Sequence, residues 1–225
     1  MNNNTLRVVI AGGGTGGHLF PAIAIGEALT QDGIKVKYIG SKYGIESKYK
    51  FINNDDISLL DIKGIQRSIN IKNILRNIVL PIKIIKSFYH VKKIFKNFKP
   101  HMVIGTGGYT CAIPLYIAIR NKILTAIQEQ NVIPGMVTEK FANKVDIIFT
   151  SFEETIEYIN TEKVLFTGNP VRNMIKEIDN KKSKINMGLS PDKFTILIIG
   201  GSQGSMSINE HFINNYEKYL NKDFQ

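Results

Sequence analysis

Apolar runs and helical patterns alternate along the chain almost from its start. LRVVIA (6–11) is an unbroken apolar run of strand length, followed by a glycine-rich loop. A helical pattern then extends from about Pro21 to Gln31 and stops at Gly33. KVKYIG (35–40) and ISLLDI (57–62) read as the second and third strands. Two helical patterns, at about 70–80 and 82–98, lie on either side of Pro81. HMVIG (101–105) precedes a helix near 112–121, and ILTAIQ (123–128) precedes one near 136–143. DIIFTS (146–151) and KVLFTG (163–168) bracket a short helix near 152–159. Strands that recur after helices as continuous Val, Ile and Leu runs are apolar on both faces. They predict an α/β fold whose parallel sheet is covered on both sides.

The pattern changes after NPVR (169–172). KEIDNKKSKINMGLSPDK (176–193) is polar and charged without strand periodicity, and it reads as an interdomain linker. FTILIIGG (194–201) predicts a new strand, and a helix follows from about Ile208 to Leu220. One strand and one helix cannot bury a core of their own. The expected layout is an N-terminal domain over 1–175, a linker over 176–193, and at 194–225 a second domain cut off after its first βα unit.

No stretch approaches the roughly 18 uninterrupted apolar residues that a membrane-spanning helix needs. The start, MNNNTLRVVIAGGG, lacks a basic region ahead of a long apolar one, so no signal peptide is read. Cys111 is the single cysteine, which excludes an internal disulfide and fits a reducing cytoplasm. Charge is localised. Residues 63–99 carry ten Lys and Arg and no Asp or Glu, which equals the net +10 of the whole chain. Three readings of this segment compete: a solvated helical face, a nucleic-acid site, and a surface for anionic membrane. No nucleic-acid module is recognisable and few aromatics interleave with the lysines. Lysines mixed with Ile, Leu, Val and Phe at helical spacings are the composition of an interfacial helix, and this favours the membrane.

GGGTGGH (12–18) stands between the first strand and the first helix. Gly12, Gly14 and Gly17 satisfy G-x-G-x-x-G, a backbone that an anion can approach because no Cβ intervenes. The plain alternative is a tight turn. A phosphate-binding P-loop would end in Gly-Lys-Ser/Thr, where His18-Leu19 stands. A dinucleotide site, as in an NAD-dependent oxidoreductase, wants a carboxylate closing the second strand, and YIGSKYG supplies none. His18 is read either as a structural residue or as a neutral general base beside the ligand loop. TGGY (106–109) and GGSQGS (200–205) are further glycine turns after apolar runs, where open α/β sheets bind ligands. EQN (129–131) can cap the next helix or bond a sugar, and Arg172 can lie on the surface or clamp a diphosphate.

Together, VVIAGGGTGGHLFPAIAIGEAL, IGTGGY, IQEQNVIPG, TGNPVR and IIGGSQGSMSIN resemble, in order and spacing, the MurG family of peptidoglycan glycosyltransferases. The resemblance covers essentially the whole chain. It implies a GT-B fold: a complete N-terminal Rossmann-like domain, plus only the first βα unit of a second one. It also implies a metal-independent, cofactor-free, inverting transfer of N-acetylglucosamine. The donor would be UDP-N-acetylglucosamine and the acceptor the C4 hydroxyl of an undecaprenyl-diphosphate-linked muramyl pentapeptide, lipid I. The place implied is the cytoplasmic face of the cell membrane, docked peripherally through 63–99.

Carried over by residue, the resemblance makes His18 the candidate catalytic base. Thr15, Gly16, Gly17, Asn131, Arg172, Ser202 and Gln203 fall on the donor side. Gly14, Thr106, Gly107, Gly108 and Tyr109 fall at the acceptor diphosphate. Family members run to about 350 residues, as two full domains require. Most of the donor-binding half therefore has no counterpart here. The alternative is a non-catalytic, membrane-docking half of a split transferase whose partner chain supplies the donor domain.

Overall fold

The computed structural model describes residues 5–48, 52–53, 56–63, 71–176, 178–200, 204–219 and 224–225, with backbone alone for 71–79 and 176. The chain divides into two compact units, Met1–Asn173 and Met174–Gln225.

The first unit is built on seven strands: β1 (Arg7–Ala11), β2 (Lys35–Ser41), β3 (Ile57–Leu60), β4 (Met102–Gly105), β5 (Leu124–Glu129), β6 (Ile147–Thr150) and β7 (Val164–Phe166). They form one sheet in the order β3-β2-β1-β4-β5-β6-β7, and every neighbouring pair is parallel. The apolar runs explain why. Along β1, Val9 and Ala11 enter one core with Ile39, Val103, Ile127 and Ile148, while Val8 and Ile10 enter another with Ile104 and Ala126. Both faces of each central strand are thus buried, so polar alternation is absent. Helix α2 (Ile71–Phe98) and helix α3 (Ala112–Arg120) pack on the first face through Val91, Ile94, Phe95, Leu115, Ile117 and Ala118. Helix α1 (Gly16–Gln31) covers the other face through Ala22, Ile25 and Leu29.

The sheet order reverses between β1 and β4, the position at which open α/β sheets leave a crevice beyond the strand ends. The loops after β1 and β4 are the two glycine stretches.

Several boundaries differ from the sequence reading. Helix α1 starts at Gly16, well before Pro21. Proline removes only the bond to the carbonyl of Gly17, and Gly17 is exposed, so that carbonyl is open to solvation. The patterns at 70–80 and 82–98 form one helix that continues through Pro81, which lies on the exposed side. The segment near 152–159 is a 3₁₀ turn (Glu153–Tyr158) rather than an α-helix.

The second unit carries short helices α6 (Asn180–Asn186) and α7 (Met206–Asn215), after α5 (Asn173–Lys176) at the boundary. The polar stretch read as a linker therefore contains a helix. Asp179 caps it by accepting from the N–H groups of Lys181 and Lys182. The strand expected over 194–201 is not formed within the described residues. Its pairing is limited to a bridge between Phe194 and Phe224, with the Ile196 N–H donating to Gln225. A strand needs neighbours on its edges. Without them Phe194, Leu197 and Ile199 stay about 70% exposed (71%, 69% and 68%). The last helix ends at Asn215 and continues as a 3₁₀ turn over Tyr216–Tyr219.

Candidate active site

Thr15 is the N-cap of α1, in extended backbone, and its hydroxyl makes no capping hydrogen bond. Its carbonyl accepts from the N–H groups of His18 and Leu19, which places the imidazole in the first turn of α1 at the carboxyl end of β1. Thr106, immediately after β4, meets it there. Thr106 is fully buried, its hydroxyl donates to the His18 carbonyl at 2.8 Å, and its own carbonyl stands 3.1 Å from His18 Nδ1. The Gln130 Oε1 lies 3.0 Å from the same nitrogen. A Cβ on Gly12 would collide with the Thr106 hydroxyl, and one on Gly107 would sit 2.5 Å from His18 Nδ1. Gly107 also holds φ +97°, a region that favours glycine. These two glycines let the β1 and β4 loops close on the histidine.

The oxygens around Nδ1 decide its chemistry. The Thr106 carbonyl can only accept, so Nδ1 carries a proton, and in the neutral ring the lone pair is then on Nε2. This is the tautomer in which Nε2 can take a proton from a hydroxyl.

The glycine loop has a brace that sequence reading missed. Glu46, in the turn Ile45–Ser47, is buried, and both its carboxylate oxygens accept from the Gly14 N–H, at 3.1 and 3.0 Å. Its Oε1 also accepts from the Ser41 N–H at 2.7 Å. A Cβ on Gly13 or Gly44 would collide with this carboxylate, and one on Gly40 would lie 2.8 Å from its side chain. A carboxylate therefore does reach the loop, contrary to the expectation from YIGSKYG, because it arrives from the turn beyond β2 rather than from the strand end. Its oxygens are occupied by backbone N–H groups, so it braces the loop instead of facing outward as a ribose acceptor would. Gly14 offers a ligand its missing Cβ, while its N–H is already spent. The signal in the sequence was the pairing of four glycines with a single Glu, and only the fold brings them together.

Tyr109 reaches over the same loop: its hydroxyl donates to Ser41 Oγ at 3.4 Å and lies 3.8 Å from where a Gly14 Cβ would stand. Gly108, with φ +72°, permits close approach to the Gly13 carbonyl. Gly16 is buried and Gly17 exposed at the start of α1.

At the end of β5, Glu129 is buried and organises the next loop. It accepts from the backbone and side-chain N–H groups of Asn131, from the Gly135 N–H and from the Thr138 hydroxyl. It thus holds the start of helix α4 (Met136–Phe141) from below. Asn131 is exposed, and its amide nitrogen is committed to Glu129. The EQN cluster is both a helix brace, through Glu129, and a set of groups facing the strand ends, through Gln130 and Asn131.

Arg172 precedes α5 rather than lying inside it. Its guanidinium lies 4.2 Å from the centre of the Phe20 ring, and its Nε is buried without a hydrogen-bond partner among the described residues. Ser202 and Gln203 lie outside the described residues. Among the described residues no cluster of His, Cys, Asp or Glu is placed to hold a metal ion.

In the basic segment, residues 64–70 and the side chains of 71–79 lie outside the description. On the rest of α2, Ile82, Ile85 and Tyr89 are exposed along one stripe with Lys86 and Lys93 beside them, while Ser87, Val91 and Ile94 face the sheet. Lys83 is not a free cation: it pairs with Asp61 at 2.9 Å. No described helix is long and apolar enough to cross a membrane.

The comparisons with known proteins agree with this geometry. Residues 8–150 match the model of the glycosyltransferase family 28 N-terminal domain. A UDP-N-acetylglucosamine--N-acetylmuramyl-(pentapeptide) pyrophosphoryl-undecaprenol N-acetylglucosamine transferase of Alkaliphilus metalliredigens is 37% identical over 98% of this chain, and its Bacillus subtilis counterpart 36% identical over 98%. The chain spans about 60% of the length of each. Among solved structures, MurG of Acinetobacter baumannii superposes with TM-score 0.68 at 23% identity, covering 95% of this chain and 57% of that one. UDP-GlcNAc 2-epimerase of Methanocaldococcus jannaschii, with TM-score 0.60 at 14% identity over 98% of this chain and 64% of that one, shares the fold. The chain belongs to glycosyltransferase family 28, and its named relatives are the MurG N-acetylglucosamine transferases.

Proposed function

We propose that this chain is the acceptor-binding and base-carrying part of an inverting N-acetylglucosaminyltransferase that converts lipid I to lipid II in peptidoglycan synthesis. The observation that carries the reading is the setting of His18 beyond the ends of β1 and β4: Nδ1 is held by oxygen acceptors, and Nε2 has no hydrogen bond among the described residues. The acceptor C4 hydroxyl gives its proton to Nε2 as its oxygen bonds to the anomeric carbon of N-acetylglucosamine. The bond from that carbon to the UDP oxygen breaks on the opposite face, and UDP leaves as an anion. The imidazolium formed keeps its Nδ1–H on Thr106 and Gln130.

Arg172, with an unpartnered buried Nε, and the first-turn N–H groups of Gly16 and Gly17 suit phosphate oxygens. Thr15 contributes a free hydroxyl, and Asn131 its side-chain oxygen, to the donor sugar. Ser202 and Gln203 are assigned to the donor by resemblance alone. At the acceptor diphosphate, Gly107, Gly108 and Tyr109 provide close approach. Thr106 acts by holding His18, because its hydroxyl and carbonyl are both engaged there. The exposed Ile82, Ile85 and Tyr89 stripe with its lysines docks the enzyme on anionic lipid at the cytoplasmic face, each basic residue contributing about 1 kcal/mol.

The test is transfer of labelled N-acetylglucosamine from UDP-N-acetylglucosamine to a short-chain lipid I analogue. It is run with this chain alone and with the chain extended through a full relative's donor domain. Transfer by the extended form supports the reading, and its absence there overturns it. A second reading, a lipid-diphosphate-binding half that works with a separate donor chain, is favoured by the exposed apolar run Phe194–Ile199. Transfer restored by adding the donor domain as a separate chain distinguishes it.

A further inference from the structure

Behind His18 stands a row of polar side chains that the proposed reaction does not use directly. Gln130 Nε2 faces three oxygens: the Thr106 carbonyl at 2.9 Å, the Gln128 carbonyl at 2.8 Å and the Gln128 Oε1. A flipped amide would set its own oxygen against all three, so the orientation is fixed by its partners. With the nitrogen turned that way, Oε1 is the atom left to face His18 Nδ1 at 3.0 Å, and an amide oxygen only accepts.

Gln128 is held in turn. Its Nε2 donates to Ser151 Oγ at 2.9 Å and to the Glu129 carbonyl at 3.3 Å, which leaves its Oε1 for Gln130. Ser151 Oγ donates to Asn169 Oδ1 at 3.4 Å. Gln128 and Ser151 are only 2% and 8% exposed, so water does not compete for these bonds. The row ends at Asn169, in the same TGNPVR stretch that carries Arg172.

We infer that Gln130 is a positioning residue for His18: its amide oxygen, oriented by the Gln128–Ser151–Asn169 row, holds the Nδ1–H and so keeps Nε2 available as the proton acceptor. The physical logic is that of any imidazole whose second nitrogen is fixed by a hydrogen-bond partner, here a neutral amide in place of a carboxylate. Thr106 alone presents a backbone carbonyl that a rotated ring could meet with Nε2–H instead. Gln130 supplies a second acceptor at the observed Nδ1 position, so the Nδ1–H form gains a partner that Thr106 alone does not give it. The inference rests on His18 serving as base under the proposed function, but its first test needs no substrate.

The experiment is ¹⁵N NMR of the imidazole nitrogens in this chain at about pH 9, above the ordinary histidine range. His18 is assigned by its loss in His18→Ala. The expected wild-type result is a single Nδ1–H tautomer, the opposite of the Nε2–H form that an unconstrained imidazole prefers in water. In Gln130→Leu, which keeps the volume and removes the acceptor, Nε2–H is expected to appear as a major species. Gln130→Met is the second variant should the first fail to fold, judged by dispersion of the amide spectrum. In a catalytically competent extended enzyme, the same variant is expected to lose tenfold or more in kcat with KM changed less than threefold.

A wild-type His18 in the Nε2–H form overturns the inference, and so does a tautomer unchanged in both variants, which assigns the effect to Thr106 alone. An Nδ1–H tautomer that depends on Gln130, in an extended chain without transferase activity, keeps the inference about His18 and fails the proposed reaction instead.

Discussion

Glu46 offers the sharpest quantitative test of how the glycine loop is held. Among the described residues, replacing it with Ala removes the side-chain acceptor of the Gly14 and Ser41 N–H groups, at 3.0–3.1 and 2.7 Å. Ser41 is fully buried and Glu46 itself 7% exposed, so water regains these donors poorly. An orphaned buried N–H costs about 1–3 kcal/mol, and bonds to a charged acceptor lie at the upper end. The fully buried Ser41 donor gives about 1–3 kcal/mol and the part-buried Gly14 donor less, so together about 2–4 kcal/mol, a large share of the about 5–15 kcal/mol that a domain has. Glu46→Gln keeps the volume and one oxygen, which can still accept from Ser41. Its NH₂ group, however, replaces the oxygen 3.0 Å from the Gly14 N–H, which keeps only the bond at 3.1 Å to the remaining oxygen, so about half of that loss is expected. Urea unfolding followed by circular dichroism at 222 nm measures both, with unchanged slope and a lowered midpoint. Amide exchange at Gly14 is expected to speed up in parallel. A Glu46→Gln variant within 0.5 kcal/mol of wild type, its Gly14 exchange unaltered, would falsify the brace.

Four further outcomes follow from the same structure. Gly107→Ala places a Cβ 2.5 Å from His18 Nδ1 at φ +97°, so it should fold with a cost of about 1–3 kcal/mol and a displaced His18 ring, read from the His18 ¹⁵N shifts. Burial pushes the Cys111 thiol up to about 12, so native protein at pH 8 should not react with a thiol reagent, whereas urea-unfolded protein should react within minutes. Burial first, then the charges of Glu27 and Asp56, raise the Tyr38 phenol to about 12 as well. The unfolded chain releases these protons from about pH 9–10 while the native one retains them, so stability should fall as pH rises from there to about 12. Ile85→Glu, on the exposed stripe of α2, should weaken co-sedimentation with anionic vesicles at least tenfold without changing the unfolding midpoint; unchanged sedimentation would remove α2 as the docking surface.

Much of the sheet was legible because β1 and β4 are short apolar runs that end at glycine turns, and a parallel strand buried on both faces leaves an apolar run. Helix starts were harder. The pattern began α1 at Pro21, because glycines carry no periodicity, although the N-cap position is Thr15. Pro81 looked like a break since sequence shows the lost N–H but not the exposed side on which it falls. FTILIIGG has the composition of a strand, but ladder formation depends on neighbours that sequence alone does not position. In the site, His18 and the glycines stood out by their place after a strand. Glu46 did not, and Gln130 stood out only within EQN and not as a partner of His18, because each acts on residues 32 or 112 positions away. The sheet order alone brings those pairs into contact.

The most direct measurement is the effect of His18→Ala on N-acetylglucosamine transfer to a lipid I analogue, by the chain extended through a donor domain. A loss of about 10²–10⁴-fold in kcat, with KM for both substrates nearly unchanged, is the predicted result for a general base. A variant retaining transfer within a few-fold of wild type would show that the proton is taken elsewhere and contradict the account.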